Sequence, residues 1–267
     1  MKWLLGRSVA DKELAFQNEE KEKRAAELLI ANKELAFQNE EKEKRAAELL
    51  IANKELAFQN EEKEKRAAEL VKSHLDLKNN LLDTVKVIAK AVEMRDPYTA
   101  GHQQRVAEIA CAIAGEMGLD EDQITGVRLG ATIHNIGTLQ IPAEILSRPG
   151  KLTDVEYQLV QTHAGLGYDI LKDVRFPWPL ADIAHQHHER MDGSGYPQGL
   201  NGVQICLEAR IVAVADVAGA MSSHRPYRAS LGIQAALDEI KTKRGILYDP
   251  EVVDACLKAY EGKRFSV

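Results

Sequence analysis

Between Asp11 and Asp96 the chain has neither proline nor glycine. A helix that starts in this stretch meets no residue that forces it to stop. Cysteine is scarce: Cys111, Cys206 and Cys256 are far apart and odd in number. That excludes a disulfide framework and a Cys-x-x-Cys metal or redox pair, and it suggests a reducing compartment. Long apolar runs are missing as well. Met1-Lys2-Trp3-Leu4-Leu5-Gly6 is too short for a signal peptide or a membrane span, so the expectation is a cytoplasmic chain with no membrane span. Positive charge is not in excess. A net charge of -6 and a pI near 5.8 argue against DNA binding by phosphate neutralisation, while leaving room for a local basic pocket. What is present is 45% hydrophobic residues in 267, enough for a buried core in one or two domains.

The first feature actually present is a repeat. Residues 12–32, KELAFQNEEKEKRAAELLIAN, recur identically at 33–53, and a third copy runs from Lys54 to Leu70. The period of 21 is three heptads, so one register holds throughout. With Leu14, Leu28, Leu35, Leu49, Leu56 and Leu70 at d, position a holds Asn18, Ala25, Asn32, Asn39, Ala46, Asn53, Asn60 and Ala67, and Lys21, Lys42 and Lys63 interrupt the d row. Leucine at d with asparagine at a is a weak seam that favours a parallel two-stranded coil. The alternative is a solvated single helix held by i,i+4 charge pairs. The register continues through His74, Leu77, Leu81, Thr84 and Ile88, so the coil is expected to feed into the first helix of the next domain. The repeat resembles the signalling-helix linkers of bacterial multidomain receptors, which implies a homodimer and an upstream sensory domain in a longer parent protein.

Beyond Leu75 the pattern is helical, with no long alternating run of the kind that marks strands. Leu77, Leu81, Val85, Ile88 and Val92 make one apolar face, ended by Asp96-Pro97. Thr99 can cap the next helix, which carries His102, Val106, Ile109 and Ile113 and stops at Gly118. A third is expected from about Asp120 to Ile136. Thr153-Asp154-Val155-Glu156 is a capping box opening a fourth, expected to contain His163. Phe176-Pro177-Trp178-Pro179 breaks the chain before the helix leading to His187. Residues from about Leu207 to Met221 read as a helix carrying Asp216, with a buried strand over Arg210–Ala215 as the alternative. The fold class is all-α.

The chemistry concentrates in His187-His188-Glu189-Arg190-Met191-Asp192-Gly193-Ser194-Gly195-Tyr196-Pro197. Imidazole is the commonest neutral metal ligand. Adjacent histidines point about 100° apart on a helix, so both reach one metal only near a helix end, and the glycine turn supplies that end. His102, His134, His163, His187, His188 and Asp216 sit on at least five segments. One such histidine is more often a core or surface residue than a ligand; five with an aspartate inside an apolar helix are harder to explain that way. A carboxylate flanked by Val214, Ala215, Val217 and Ala218 needs a cation or hydrogen-bond donor if buried.

These motifs, in order, resemble the HD-GYP family of bacterial cyclic di-GMP phosphodiesterases from about residue 85 to 260. They are Arg95-Asp96-Pro97-Tyr98-Thr99-Ala100-Gly101-His102, Ile133-His134-Asn135-Ile136-Gly137, Ile141–Leu146 with Pro149–Thr153, His163, His187–Pro197, Leu207–Asp216 and Arg225-Pro226-Tyr227-Arg228. The resemblance implies an HD-domain helical bundle with HD-GYP additions over 75–267, preceded by a coiled-coil linker over 1–74. It implies two divalent metal ions, one held by His102, His134 and Asp216 and the other by His163, His187 and His188. Iron or manganese suits such mixed shells. His134 and Asn135 stand at the catalytic doublet, whose second residue in the family is an aspartate bridging both ions. Arg190, Gly195, Tyr196, Pro197, Arg225 and Arg228 would bind the dinucleotide, the last two through phosphate oxygens.

Three positions depart from the family pattern. Asn135 replaces the bridging aspartate, leaving the cluster underneutralised by one charge. Thr138 stands where many members have lysine, and Ser223-His224 where a serine-aspartate pair is frequent. The leading reading is a metal-dependent hydrolase that converts cyclic di-GMP to linear pGpG or GMP, impaired by Asn135. The alternatives are an inactive domain that binds cyclic di-GMP or a protein, and an HD-type hydrolase of another cyclic nucleotide.

Overall fold

The computed structural model of the chain describes residues 2–95, 101–148, 150–223 and 230–265, with side chains from residue 12 onward. Helix α1 runs over Lys2–Glu93. The backbone packs as two units, Met1–Leu75 and Asp76–Val267. In the first unit each repeat copy presents the same i,i+4 ladder: Glu19–Lys23 at 3.5 Å, Glu40–Lys44 at 2.8 Å and Glu61–Lys65 at 2.9 Å, each with an arginine pair one residue on. Glutamate lies N-terminal to its cation in every pair, the order that also suits the helix dipole. Such exposed pairs contribute about 0.3–0.5 kcal/mol each and support the helix without fixing a fold.

In the second unit the last turns of α1 bury Val85, Ala89 and Val92, an i,i+4,i+7 stripe. After it come α2 (His102–Glu116), α3 (Glu121–Ile133), a 3-10 turn over Ile136–Gln140, α4 (Ala143–Leu146), α5 (Asp154–Gln161) and α6 (His163–Leu171). The chain closes with α7 (Leu180–Gln186), α8 (Leu207–Ser222), α9 (Ile233–Thr242) and α10 (Pro250–Glu261). Among the described residues no strand occurs. Helix α8 is central, packing on α2, α3, α7, α9 and α10. Ile211, Val212, Val214, Ala215 and Ala218 bury almost its whole circumference, as expected of a helix that is apolar all round. Residues 210–215 are therefore helical rather than a strand.

Three boundaries differ from the sequence reading. Helix α3 ends at Ile133, and the chain turns into 3-10 geometry instead of continuing to Ile136. The capping box at Thr153 forms, with Thr153 N donating to Glu156 Oε2 at 2.9 Å, but its helix stops at Gln161 and a new one starts at His163. Helix α2 starts after Gly101, a left-handed residue with φ of 71° and no side-chain cap; Thr99 and Pro97 lie outside the described residues.

The glycines of α3 explain how its end reaches the centre of the unit. Gly126, Gly130 and His134 lie four residues apart on one face. A Cβ at Gly126 would stand 2.5 Å from Trp178 Cδ1, and one at Gly130 would stand 2.4 Å from Ile183 Cδ1. Only hydrogen fits at this crossing, so α3 lies close against the start of α7, and the two helices end with His134 and His187 side by side. Gly130→Ala is expected to destabilise the protein by about 1–3 kcal/mol, the usual cost of overpacking a closed core. Urea unfolding checks this; an unchanged midpoint would mean that the α3–α7 spacing does not depend on the glycine.

Candidate metal centre

Three histidines sit where a helix runs out of partners for its carbonyls. His134 caps the C-terminus of α3, His187 caps that of α7, and His163 comes just after the end of α5. The last carbonyls of a helix lack intrahelical donors. Each ring fills one: His134 Nδ1 lies 2.6 Å from Ala131 O, His163 Nδ1 2.6 Å from Val160 O, and His187 Nδ1 2.9 Å from Ala184 O. These contacts fix the tautomer, with the proton on Nδ1 and the Nε2 lone pair turned inward.

The inward atoms converge in two groups. The ligand atoms of His163, His187 and His188 lie within 4.8 Å of one another, as do those of His102, His134 and Asp216. His102 Nε2 is 3.0 Å and His134 Nε2 3.8 Å from Asp216 Oδ1. The groups adjoin, since the His134 and His187 rings are 4.9 Å apart. His163 Nε2 faces His187 Nε2 at 3.3 Å. With both Nδ1 atoms protonated, two lone pairs point at each other, an arrangement that a cation between them makes favourable. The donor sets therefore fit divalent metal ions. Imidazole nitrogen with a single carboxylate suits iron, manganese or zinc better than calcium.

Electrostatics favour the same state. Burial pushes His134 down to about 4, and it lowers His163 too. His187 and His188 are held well below the usual imidazole range, first by burial and then by the crowding of neighbouring imidazoles, which disfavours a further charge. The rings are thus neutral near pH 7, the form that ligates. For Asp216 burial acts upward, but the hydrogen bond and charge of His102 outweigh it and keep the carboxyl ionised.

Asn135 occupies the edge of this cluster. Its Nδ2 lies 2.7 Å from His134 Nε2, and since His134 carries its proton on Nδ1 the amide is the donor. The amide thereby takes up the lone pair that His134 offers inward. Thr138 donates its hydroxyl to Asn135 O at 2.8 Å, closing the turn. Gly137 brings this turn against α6, because a Cβ there would stand 2.0 Å from His163 O.

The Gly-Tyr-Pro stretch lies over the second group. Tyr196 stacks on His188 at 4.7 Å between ring centroids, and burial raises its phenol further above its ordinary value. Gly195 is required: a Cβ would meet Glu189 Cα at 2.4 Å. The Tyr196–Pro197 peptide is cis. Arg190 is held in place by donating to Glu189 O at 2.9 Å and by lying 5.5 Å from the Tyr248 ring centroid. Arg225, Arg228 and His224 lie outside the described residues. The sequence reading missed Glu189, which is 2% exposed and accepts from Gln198 N at 2.7 Å and Leu200 N at 3.0 Å. It pins the loop to the helix end; a carboxylate between two histidines and a glycine turn was the available signal.

The HD domain family description matches residues 86–252, more than half of the chain. The cyclic di-GMP phosphodiesterase response regulator RpfG of Xanthomonas campestris pv. campestris is 43% identical over 178 residues, covering 66% of this chain and 47% of that protein. The 3'3'-cGAMP-specific phosphodiesterase 3 of Vibrio cholerae serotype O1 is 39% identical over 189 residues, covering 70% and 41%. Among solved structures, Bd1817, a HDG"Y"P protein from Bdellovibrio bacteriovorus, shares the fold with a TM-score of 0.51 at 18% identity, over 60% of this chain and 52% of that one. The chain spans about half the length, or less, of the curated relatives it matches.

The buried neutral rings make stability depend on pH in the metal-free protein. The unfolded His134 binds a proton below its ordinary value of 6.5, whereas the folded one resists down to about 4. Its contribution is fully present above about pH 6.5 and is lost as pH falls toward 4. From about pH 7.5 to about pH 5 the loss from His134 alone is on the order of 2 kcal/mol. Urea unfolding after chelator treatment measures it, and equal stability at the two pH values would contradict burial of neutral imidazoles.

Proposed function

The chain belongs to the HD domain family, and from that premise we propose that it is a metal-dependent phosphodiesterase of the HD-GYP kind, acting on cyclic di-GMP and impaired by Asn135. Residues 75–267 form the hydrolase module and 1–74 a coiled-coil linker. The observation that carries the reading is the convergence of six ligand atoms into two adjoining groups, with three rings aimed by helix-end carbonyls. Divalent ions, when bound, would supply Lewis-acid stabilisation of the charge that develops on the phosphoryl oxygens. His102, His134 and Asp216 would hold one, and His163, His187 and His188 the other. Tyr196 covers the second group and keeps a hydroxyl donor beside it. Arg190, Arg225 and Arg228 meet the phosphates, and Gly195 with Pro197 shapes the turn.

Asn135 weakens this machinery in two ways. It brings no negative charge, and its amide hydrogen bonds to the His134 nitrogen that is needed as a ligand. The same observation favours a second reading, a domain that binds the dinucleotide without cleaving it. Substrate class also has two candidates, because one relative is named for cyclic di-GMP and another for 3'3'-cGAMP.

Both substrates are to be assayed with added manganese or ferrous iron under reducing conditions. The chain as it stands is expected to hydrolyse very slowly, and Asn135→Asp to recover cleavage of cyclic di-GMP by about 100-fold or more. An aspartate variant that binds tightly and still fails to cleave would establish the receptor reading instead.

The linker is proposed to make the protein a parallel homodimer. Leu14, Leu28, Leu35, Leu49, Leu56 and Leu70 are each more than half exposed in the single chain, a row of apolar surface that a second copy would cover. Deleting one 21-residue unit keeps heptad phase, so sedimentation should still report a dimer. Deleting four residues turns the seam by about 40° relative to the hydrolase module and should alter activity in the Asn135→Asp background. Identical behaviour of the two deletions would reduce the coil to a tether.

A further inference from the structure

His102 differs from three of the other ring ligands. His134, His163 and His187 each have an Nδ1 contact to a carbonyl, whereas His102 Nδ1 is buried with no hydrogen-bond partner among the described residues. Its ring rests against Gly219, the nearest ring atoms standing 3.8 Å from where a Cβ would be. Among the described residues no hydrogen bond outside the cluster sets its direction, so its place depends on the backbone that carries it. That backbone is the first turn of α2, whose amides have no cap from their own N-terminal residue, Gly101.

The missing cap comes from another helix. Glu93, the last residue of α1, accepts from Gly101 N and from Gln103 N, both at 3.0 Å, one carboxylate oxygen to each. His102 lies between the two amides. A carboxylate here satisfies orphan donors and sits at the positive end of the α2 dipole. Its own base is fixed. Two residues on, Arg95 donates to Leu139 O and, at 3.2 Å, to Ile141 O, anchoring the end of α1 on the turn that begins beside Asn135.

We propose that Glu93 is the positioning residue for His102: it substitutes for the ring contact that His134, His163 and His187 have, by clamping the backbone on either side. The proposal rests on the reading of His102, His134 and Asp216 as a metal-holding group. Glu93 touches neither substrate nor metal, and it acts only through His102.

The test uses the full chain with labelled histidine rings, after chelator treatment and during titration with Mn2+, whose paramagnetism broadens the signals of nearby rings. In Glu93→Ala the His102 ring signals should shift before any metal is added, while those of His163 and His187 stay in place. Mn2+ should then broaden His102 only at about 10–100-fold higher concentration than in the parent chain, the usual effect of losing an outer support. Glu93→Gln keeps one carbonyl acceptor and should fall between the two; it also carries the comparison if the alanine variant does not fold. Unmoved His102 signals with unchanged Mn2+ broadening would overturn the proposal. So would a uniform shift of all the rings with a lowered melting temperature, which is a general packing defect. A parent chain in which Mn2+ broadens no ring, while Glu93→Ala still displaces His102, would remove the metal reading and leave the clamp standing.

Discussion

The site depends on one interaction repeated three times: a buried imidazole donating its Nδ1 proton to the carbonyl three residues back at a helix end. Two needs are met by one contact. The helix would otherwise leave a carbonyl unpaired in the interior, where that costs about 1–3 kcal/mol. The ring would otherwise be free to choose its tautomer and rotate. At His134, His163 and His187 each defect corrects the other, and the Nε2 atoms that remain have nowhere to point but inward. Neutral lone pairs facing each other in a place this dry, as at His163 and His187, suit a cation between them.

That arrangement governs the packing around it. For the three tethered imidazoles, helix ends rather than helix middles meet at the centre, so the crossings are close. Gly126 and Gly130 let α3 approach the start of α7, and Gly137 lets the next turn approach α6. Glu189 then ties the Gly-Tyr-Pro loop to the end of α7, so that Tyr196 stacks on His188. Asp216 brings the carboxylate from the middle of the most buried helix, and His102, buried and with no partner for Nδ1 among the described residues, lacks such a tether.

Much of this was legible in the residues. The histidines and Asp216 stood out because polar ligands in apolar helical runs demand partners, and the heptads of the repeat come from spacing alone. The capping box at Thr153 formed as its side chains require. What the sequence did not reveal were breaks of a single residue. Gln161–Thr162–His163 carries no proline or glycine, so periodicity ran straight through a boundary set by tertiary packing. Helix α3 likewise gave no local signal that it would end at Ile133, because the His134 ring supplies that end. Glu93 gave no signal for a different reason: it caps backbone amides eight and ten residues on, beyond any local capping pattern, and only the folded chain brings carboxylate and amide together.

At Asn135 the amide fits sterically and completes a hydrogen bond to His134, so the fold tolerates it while it brings no negative charge to the centre. Anomalous diffraction from crystals grown with manganese addresses the central claim directly. A peak is expected among His163, His187 and His188, with a weaker one among His102, His134 and Asp216, where the asparagine competes. Crystals with ordered density for all six side chains and no peak at either position would contradict it.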